Sequence, residues 1–170
     1  MKVPSILFND IEAFVFDFDG VLTNNLVLLD SNGNELVSCS RADGLAFDVL
    51  RKLKKPAYIL STEKNPVVTA RAKKLGIPSI QGISDKTESI KDLSRREGFA
   101  LQKVMYVGND LNDYLVMQSC GYSVCPADSH EAIKSIASLV LKTKGGYGVV
   151  RELLEDELGL DFIEILYNTK

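Results

Sequence analysis

Two aspartates, Asp17 and Asp19, stand one residue apart after the apolar run Phe14-Val15-Phe16. Alternate side chains of an extended chain point to one face, so both carboxylates are expected on the same side of a strand end. Two carboxylates about 4 Å apart repel by roughly 4 kcal/mol at an effective dielectric near 20. A structural core has no use for that arrangement. A divalent cation offsets it, and hard carboxylate oxygens suit Mg2+. The competing account is a strand end whose acids merely start a turn, with Gly20 supplying the bend.

Three more places carry polar groups where a strand should give way to a loop or helix. Ser61 follows the apolar run 57–60, and with Thr62 and Glu63 it reads as the start of a helix. Its hydroxyl and the amides of that helix start would hold an anion such as phosphate; a plain helix cap is the simpler alternative. Lys86 follows Ser84-Asp85 at another helix start, where the helix dipole disfavours a cation, so an anionic partner is expected. Gly108-Asn109-Asp110-Leu111-Asn112-Asp113 is an oxygen-rich loop after an apolar run. A third metal ligand should come from Asn109 or Asp110, with Asp113 fixing the lysine or the surrounding geometry.

These groups need a scaffold that brings strand ends together. Strand readings fall at 13–18, 57–60, 79–80, 103–107, 121–124 and 138–141. Helices are expected from Asp43 to about Lys54, with Leu45, Ala46, Val49, Leu50 and Leu53 on one face. Others are expected from Ser61 to about Leu75, over 84–97, 111–119 and 129–137, and from Gly146 or Gly148 to about Leu158. Segments 26–29 and 35–40 flank Asn32-Gly33, a hairpin signal. The alternation predicts an α/β fold: a doubly wound, Rossmann-like parallel sheet with a β-hairpin inserted after the first strand. Ligands of such sheets sit at the carboxyl ends of strands.

The 170 residues fit one domain spanning 1–170, and 45% of them are hydrophobic, enough for a buried core. A net charge of −3 without a basic block argues against nucleic acid. No apolar run approaches the ~20 residues of a membrane span. Cys39, Cys120 and Cys125 are odd in number and fit neither a zinc site nor a disulfide frame, so a reduced, cytoplasmic protein is expected. The single histidine, His130, excludes multi-histidine zinc sites and is expected to be solvated in the first turn of a helix. Chemistry must therefore rest on carboxylates, hydroxyls and lysine.

The stretch Asp17-Phe18-Asp19-Gly20-Val21-Leu22-Thr23 resembles the DxDGxxT signature of the haloacid dehalogenase superfamily, and Ser61, Lys86 and Asn109/Asp110/Asp113 match its other three motifs in order. The resemblance implies a Mg2+-dependent phosphatase in which Asp17 is the nucleophile and Asp19 the general acid and base. Neither the gap from Asp19 to Ser61 nor that from Ser61 to Lys86 has room for a cap domain. DFDGVLTNN, RADGLAF, RAKKLGI, QGISDK, VGNDLND, PADSH and GGYGVVRE are similar to the capless 3-deoxy-manno-octulosonate 8-phosphate phosphatases. That family is tetrameric, which implies a homotetramer whose hairpin (26–40) and C-terminal tail (160–170) cover neighbouring sites. The family implies a sugar-acid phosphate as substrate, met by Gly20, Thr23, Thr62, Glu63, Arg71 and Lys74.

Two departures bear on the substrate. The octulosonate enzymes read Thr-Gly-Arg at the second motif, whereas this chain reads Ser61-Thr62-Glu63, similar to the branch acting on nine-carbon 2-keto-3-deoxynononate 9-phosphate. Glu63, at a helix start, is expected to accept sugar hydroxyls in its own subunit, with Arg71 and Lys74 serving a neighbour's site or an interface. Asn109 stands where an aspartate is usual, as in non-catalytic versions of the domain fused to acylneuraminate cytidylyltransferases. The retained Asp17, Asp19 and Lys86 favour catalysis over a purely oligomerising module.

Overall fold

A computed structural model describes residues 6–168; the first five residues of the expected domain and the last two of the expected tail lie outside it. The strands are β1 (Ala13–Phe16), β2 (Leu28–Leu29), β3 (Glu35–Leu36), β4 (Ala57–Leu60), β5 (Ser79–Ile80), β6 (Val104–Val107), β7 (Tyr122–Cys125) and β8 (Leu139–Val140). The helices are α1 (Arg41–Lys52), α2 (Val67–Leu75), α3 (Lys86–Glu97), α4 (Tyr114–Ser119), α5 (Glu131–Ile136), α6 (Val149–Glu152) and α7 (Phe162–Tyr167). Six strands form one parallel sheet in the order β5-β4-β1-β6-β7-β8, and β2 pairs with β3 as the expected hairpin. Gly33, at φ +82°, makes the hairpin turn.

β1 lies where the strand order reverses. Phe16 pairs with Ile59 on one side and Val107 on the other. Helices cover both faces, so the strand is buried along its whole length and reads as a continuous apolar run. Phe14 and Phe16 pack with Phe47, Leu50 and Leu154 on one face, and Ala13 and Val15 with Ile90, Leu93 and Val116 on the other. Asp17 continues the second row, toward α3.

Several helix boundaries differ from the expected ones, each for a local reason. α1 is capped by Ser40, whose Oγ accepts from Ala42 N–H, not by Asp43. Asp43 instead reaches across to α6, where its Oδ1 accepts from the N–H groups of Val150 and Arg151. Phe47 replaces Leu45 in the buried face of α1, and Leu45 is exposed. α2 begins only at Val67, after Pro66. Proline lacks an N–H and is placed best where a helix starts, so Ser61 to Pro66 remain a loop. His130 is the N-cap of α5, its Nδ1 accepting from Ala132 N–H. The last long helix splits into α6 and a π turn over Leu153–Glu157.

The expected tail is not a free arm. Its residues 162–167 form α7, capped by Asp161 and packed on α1. Phe162 is buried, with the Arg151 guanidinium 4.5 Å from its ring centroid, and Lys52 Nζ donates to Leu166 O at 2.6 Å. No helix among the described residues is long and apolar enough to cross a membrane.

If α7 is docked as described, Phe162→Ala lowers the unfolding free energy by about 3 kcal/mol through the cavity it leaves. Urea denaturation measures this, and an unchanged midpoint would show that the segment does not pack on α1.

Candidate active site

The loops after β1, β4 and β6 meet at the switch point and enclose a cavity of about 320 Å3. The first loop contributes Asp17, Asp19 and Asn25, the second Ser61 and Thr62, and the third residues 109–112. Both acids of the first motif therefore face one space, as expected. The pleat does not put Asp19 there, because β1 ends at Phe16 and a turn follows. The N–H groups of Val21, Leu22 and Thr23 all donate to Phe18 O, and Gly20 takes φ +82°. Thr23, wholly buried, closes this turn by accepting from the N–H groups of Gly20 and Asn25 through Oγ1. It serves the turn and not the substrate space, contrary to the expectation. Gly20 is required where it stands, since a Cβ there would lie 2.0 Å from Asn109 Nδ2.

Lys86, the first residue of α3, supplies the counter-charge. Asp85 caps the helix by accepting from Thr87 and Glu88 N–H. The Lys86 side chain is only 2% exposed, and its Nζ lies 2.9 Å from Asp17 Oδ1 and 2.7 Å from Asp113 Oδ1. Burial works against this ammonium, but Asp17 and Asp113 together outweigh it and hold its pKa above the ordinary value. Asp113 Oδ1 also accepts from Tyr106 O–H at 2.8 Å, and Oδ2 accepts from Asn109 N–H at 2.9 Å and Asp110 N–H at 3.3 Å. Asp113 thus ties α3, β6 and the third loop together. Nothing in the sequence analysis singled out Tyr106. Its only signal is a phenol on an otherwise apolar strand, in the row that continues toward α3.

Two carboxylates, Asp17 and Asp113, contact one ammonium, whose charge also reaches Asp19. Burial and then the Asp113 charge push Asp17 up, to about 8, against the pull of Lys86. Asp19 is also raised, chiefly by burial and then by the Glu63 charge. A cation would reverse both. The side chains fit one. Asn109 is buried, and its Oδ1 has no hydrogen-bond partner. Asp17, Asp19 and this orphan carbonyl offer the oxygen donors that a hard cation takes. Asp110 does not complete a set of acids: among the described residues no three His, Cys, Asp or Glu side chains form a ligating group. Its Oδ1 instead accepts from Leu111 N–H at 2.7 Å.

The second motif departs furthest from expectation. Ser61 is buried and follows β4, but no helix starts there. Its Oγ accepts from Glu63 N–H at 3.1 Å, and Glu63 Oε1 accepts from Lys64 and Asn65 N–H. Glu63 is thus partly committed to its own loop. Arg71 and Lys74 do not line the acid cavity. They border a separate one of about 390 Å3 between α1 and α2, and Arg71 Nη2 donates to Ser40 O at 2.7 Å.

Comparison with known proteins agrees with the fold. Residues 59–153 match the family model described as haloacid dehalogenase-like hydrolase. The 3-deoxy-D-manno-octulosonate 8-phosphate phosphatase of Escherichia coli K12 is 34% identical over 147 residues, covering 86% of this chain and 78% of that protein. The crystal structure of a haloacid dehalogenase family hydrolase from Streptomyces avermitilis superposes with a TM-score of 0.91 at 42% identity, covering 94% of this chain and 92% of the other. The Moraxella catarrhalis 3-deoxy-D-manno-octulosonate 8-phosphate phosphatase, solved with a magnesium ion, a phosphate ion and a KDO molecule, gives a TM-score of 0.83 at 27% identity over 92% and 87% of the two chains.

A raised carboxyl pKa binds protons that the unfolded chain has lost. For the metal-free protein, the Asp17 contribution to stability therefore falls as pH rises between about 4 and about 8. Melting temperatures with a chelator should show this decline in wild type and less of it in Asp17→Asn, and saturating Mg2+ should remove it. A decline that is identical in Asp17→Asn would place its origin elsewhere.

Proposed function

Because this chain belongs to the haloacid dehalogenase superfamily, among the capless phosphatases, and is a phosphoric monoester hydrolase, we propose that it hydrolyses the phosphate monoester of a 2-keto-3-deoxy sugar acid with Asp17 as nucleophile. The observation that carries this reading is the buried Asp17–Lys86–Asp113 contact at the floor of an acid-lined cavity. Lys86 Nζ and Phe18 N–H both engage Asp17 Oδ1, which leaves Oδ2 for attack on phosphorus. The new bond is Asp17 Oδ2–P, and the bond that breaks joins phosphorus to the sugar oxygen. Asp19 donates a proton to that leaving oxygen. In the second step Asp19 takes a proton from water, which attacks phosphorus and restores Asp17 with release of inorganic phosphate. Ser61 and Thr62, across the cavity, hydrogen-bond the phosphoryl oxygens.

Asp17, Asp19 and Asn109 would hold Mg2+. When bound, the ion offsets the negative charge that phosphate adds to an already acidic site. The neutral Asn109 carbonyl makes this a weaker donor set than three acids.

Two substrates compete. Glu63 in the second motif favours a nine-carbon nonulosonate 9-phosphate, whose hydroxyls it would accept. Its place in a loop beside Ser61, with its charge felt at Asp19, keeps it near the phosphate end. The octulosonate 8-phosphate reading is favoured by the names of the relatives. Steady-state kcat/KM for both compounds discriminates. Wild type should prefer the nine-carbon ester, Glu63→Arg should shift the ratio toward the eight-carbon one, and Asp17→Asn should turn over neither. A wild-type preference for octulosonate 8-phosphate would restore the second reading, and an active Asp17→Asn would remove the mechanism.

The working species is a homotetramer in this reading. Leu26, Val27, Leu28, Leu29 and Leu36 of the hairpin are all more than half exposed, an apolar surface suited to a second copy. With α7 packed on its own subunit, the hairpin is the element left to cover a neighbour's cavity. Light scattering during assay should give a multiple of the 18.7 kDa chain, and a fully active monomer would overturn this assignment.

A further inference from the structure

The turn that carries the acids is gripped by a segment that the chemistry above does not use. Residues 142–148, between β8 and α6, read Lys-Thr-Lys-Gly-Gly-Tyr-Gly. The buried Glu152 carboxylate gathers their start, accepting from Lys142 N–H at 2.8 Å and Thr143 N–H at 2.7 Å. Ala127 N–H donates to Thr143 O at 3.0 Å. Further on, Gly145 N–H donates to Asp128 Oδ1 at 2.9 Å, and Gly146 N–H donates to Val21 O at 2.9 Å.

The two glycines then lie directly on the acid turn. A Cβ on Gly145 would stand 2.1 Å from Gly20 O, and one on Gly146 would stand 2.4 Å from Asn24 N. Gly20 touches the Asn109 side chain as well, so it lies between Gly145 and Asn109 with no room for a side chain at either contact. Asn109 is held in turn, because His130 N–H donates to its carbonyl oxygen at 2.9 Å. One short stretch, residues 128–130, therefore holds both neighbours of Gly20: Gly145 through the Asp128 side chain, and Asn109 through the His130 amide.

We infer that Asp128 is a positioning residue that, through residues 142–146, sets the spacing between the acid turn and Asn109, and with it the spacing of the oxygens for a divalent cation. The inference rests on the assignment of Asp17, Asp19 and Asn109 as the cation donors. Asp128 is itself exposed and forms no hydrogen bond with those three side chains, so its influence must run through Gly145. Metal sites tolerate donor displacements of only about 0.2 Å, which makes a backbone brace of this kind felt at the ion. A purely structural anchor would change stability and leave cation affinity alone.

Isothermal titration calorimetry with Mg2+ on folded wild type, Asp128→Ala, Gly145→Ala and Gly159→Ala separates these roles. Asp128→Ala should weaken Mg2+ binding about tenfold and Gly145→Ala more, the range seen when groups behind metal ligands are removed. At saturating Mg2+, kcat should recover further in Asp128→Ala than in Gly145→Ala. Gly159 has φ +67° in open space, so its alanine variant should melt earlier yet bind Mg2+ as wild type does. Should Gly145→Ala fail to fold, the exposed Asp128 still decides: Mg2+ affinity within about twofold of wild type in Asp128→Ala overturns the inference, since removal of a bracing contact costs more than that. A wild type that takes up no Mg2+ overturns the donor assignment and the inference together, whereas a wild type that binds and an Asp128→Ala that binds equally overturns the inference alone.

Discussion

The rest of the site depends on one buried ammonium shared by two carboxylates. Lys86 has lost nearly all contact with water, a state that costs several kcal/mol unless the charge is paired and hydrogen-bonded. Asp17 and Asp113 do both. Because Asp113 also holds Tyr106 and two amides of the third loop, this single contact locks β1, β6 and α3 into one arrangement. The pair is over-supplied with negative charge, however. Burial and then that excess raise Asp17, and the excess leaves room for a positively charged partner, so the constraint that builds the site also makes it ask for an ion.

How the chain announces this arrangement is uneven. The three central strands and the loops after them were legible because β1, β4 and β6 are short apolar runs ended by Asp17, Ser61 and Gly108. Asp17, Asp19, Ser61 and the 109–112 loop do converge on one cavity, with Lys86 beneath it. What was not legible depends on contacts between residues far apart in the chain. Asp43 looked like a cap of its own helix, yet it serves α6, more than a hundred residues on. Ser61 has the composition of a helix start, but Pro66 and the Glu63 side chain compete locally and delay the helix. Tyr106 has no pattern of its own in one sequence, and Gly145 stands out only as the start of GGYGVVRE, because each matters only through the group it meets across the fold. The helix in the tail was not legible for another reason: six residues are too few for its periodicity to stand out.

The two separate cavities also divide the charge of the molecule. Acids surround the space between the first and third loops, while Arg41, Arg71 and Lys74 border the one between α1 and α2. The buried Lys86 is the ammonium that pairs with the acidic site directly.

The place of β1 at the centre of the sheet has a consequence for how the chain comes into being. Among the described residues β1 precedes every other strand, yet its partners lie at residues 57–60 and 104–107. A nascent chain that has emerged only as far as Gly98 can pair β1 with β4, but its other edge is bare. That edge is Ala-Phe-Val-Phe, a flat apolar strand of the kind that recruits other chains. Such distant pairing also slows folding, since loops must close before the contacts repay them. The strand that leads into Asp17 is therefore the one left waiting during synthesis, and a chain interrupted between β4 and β6 carries this apolar edge uncovered.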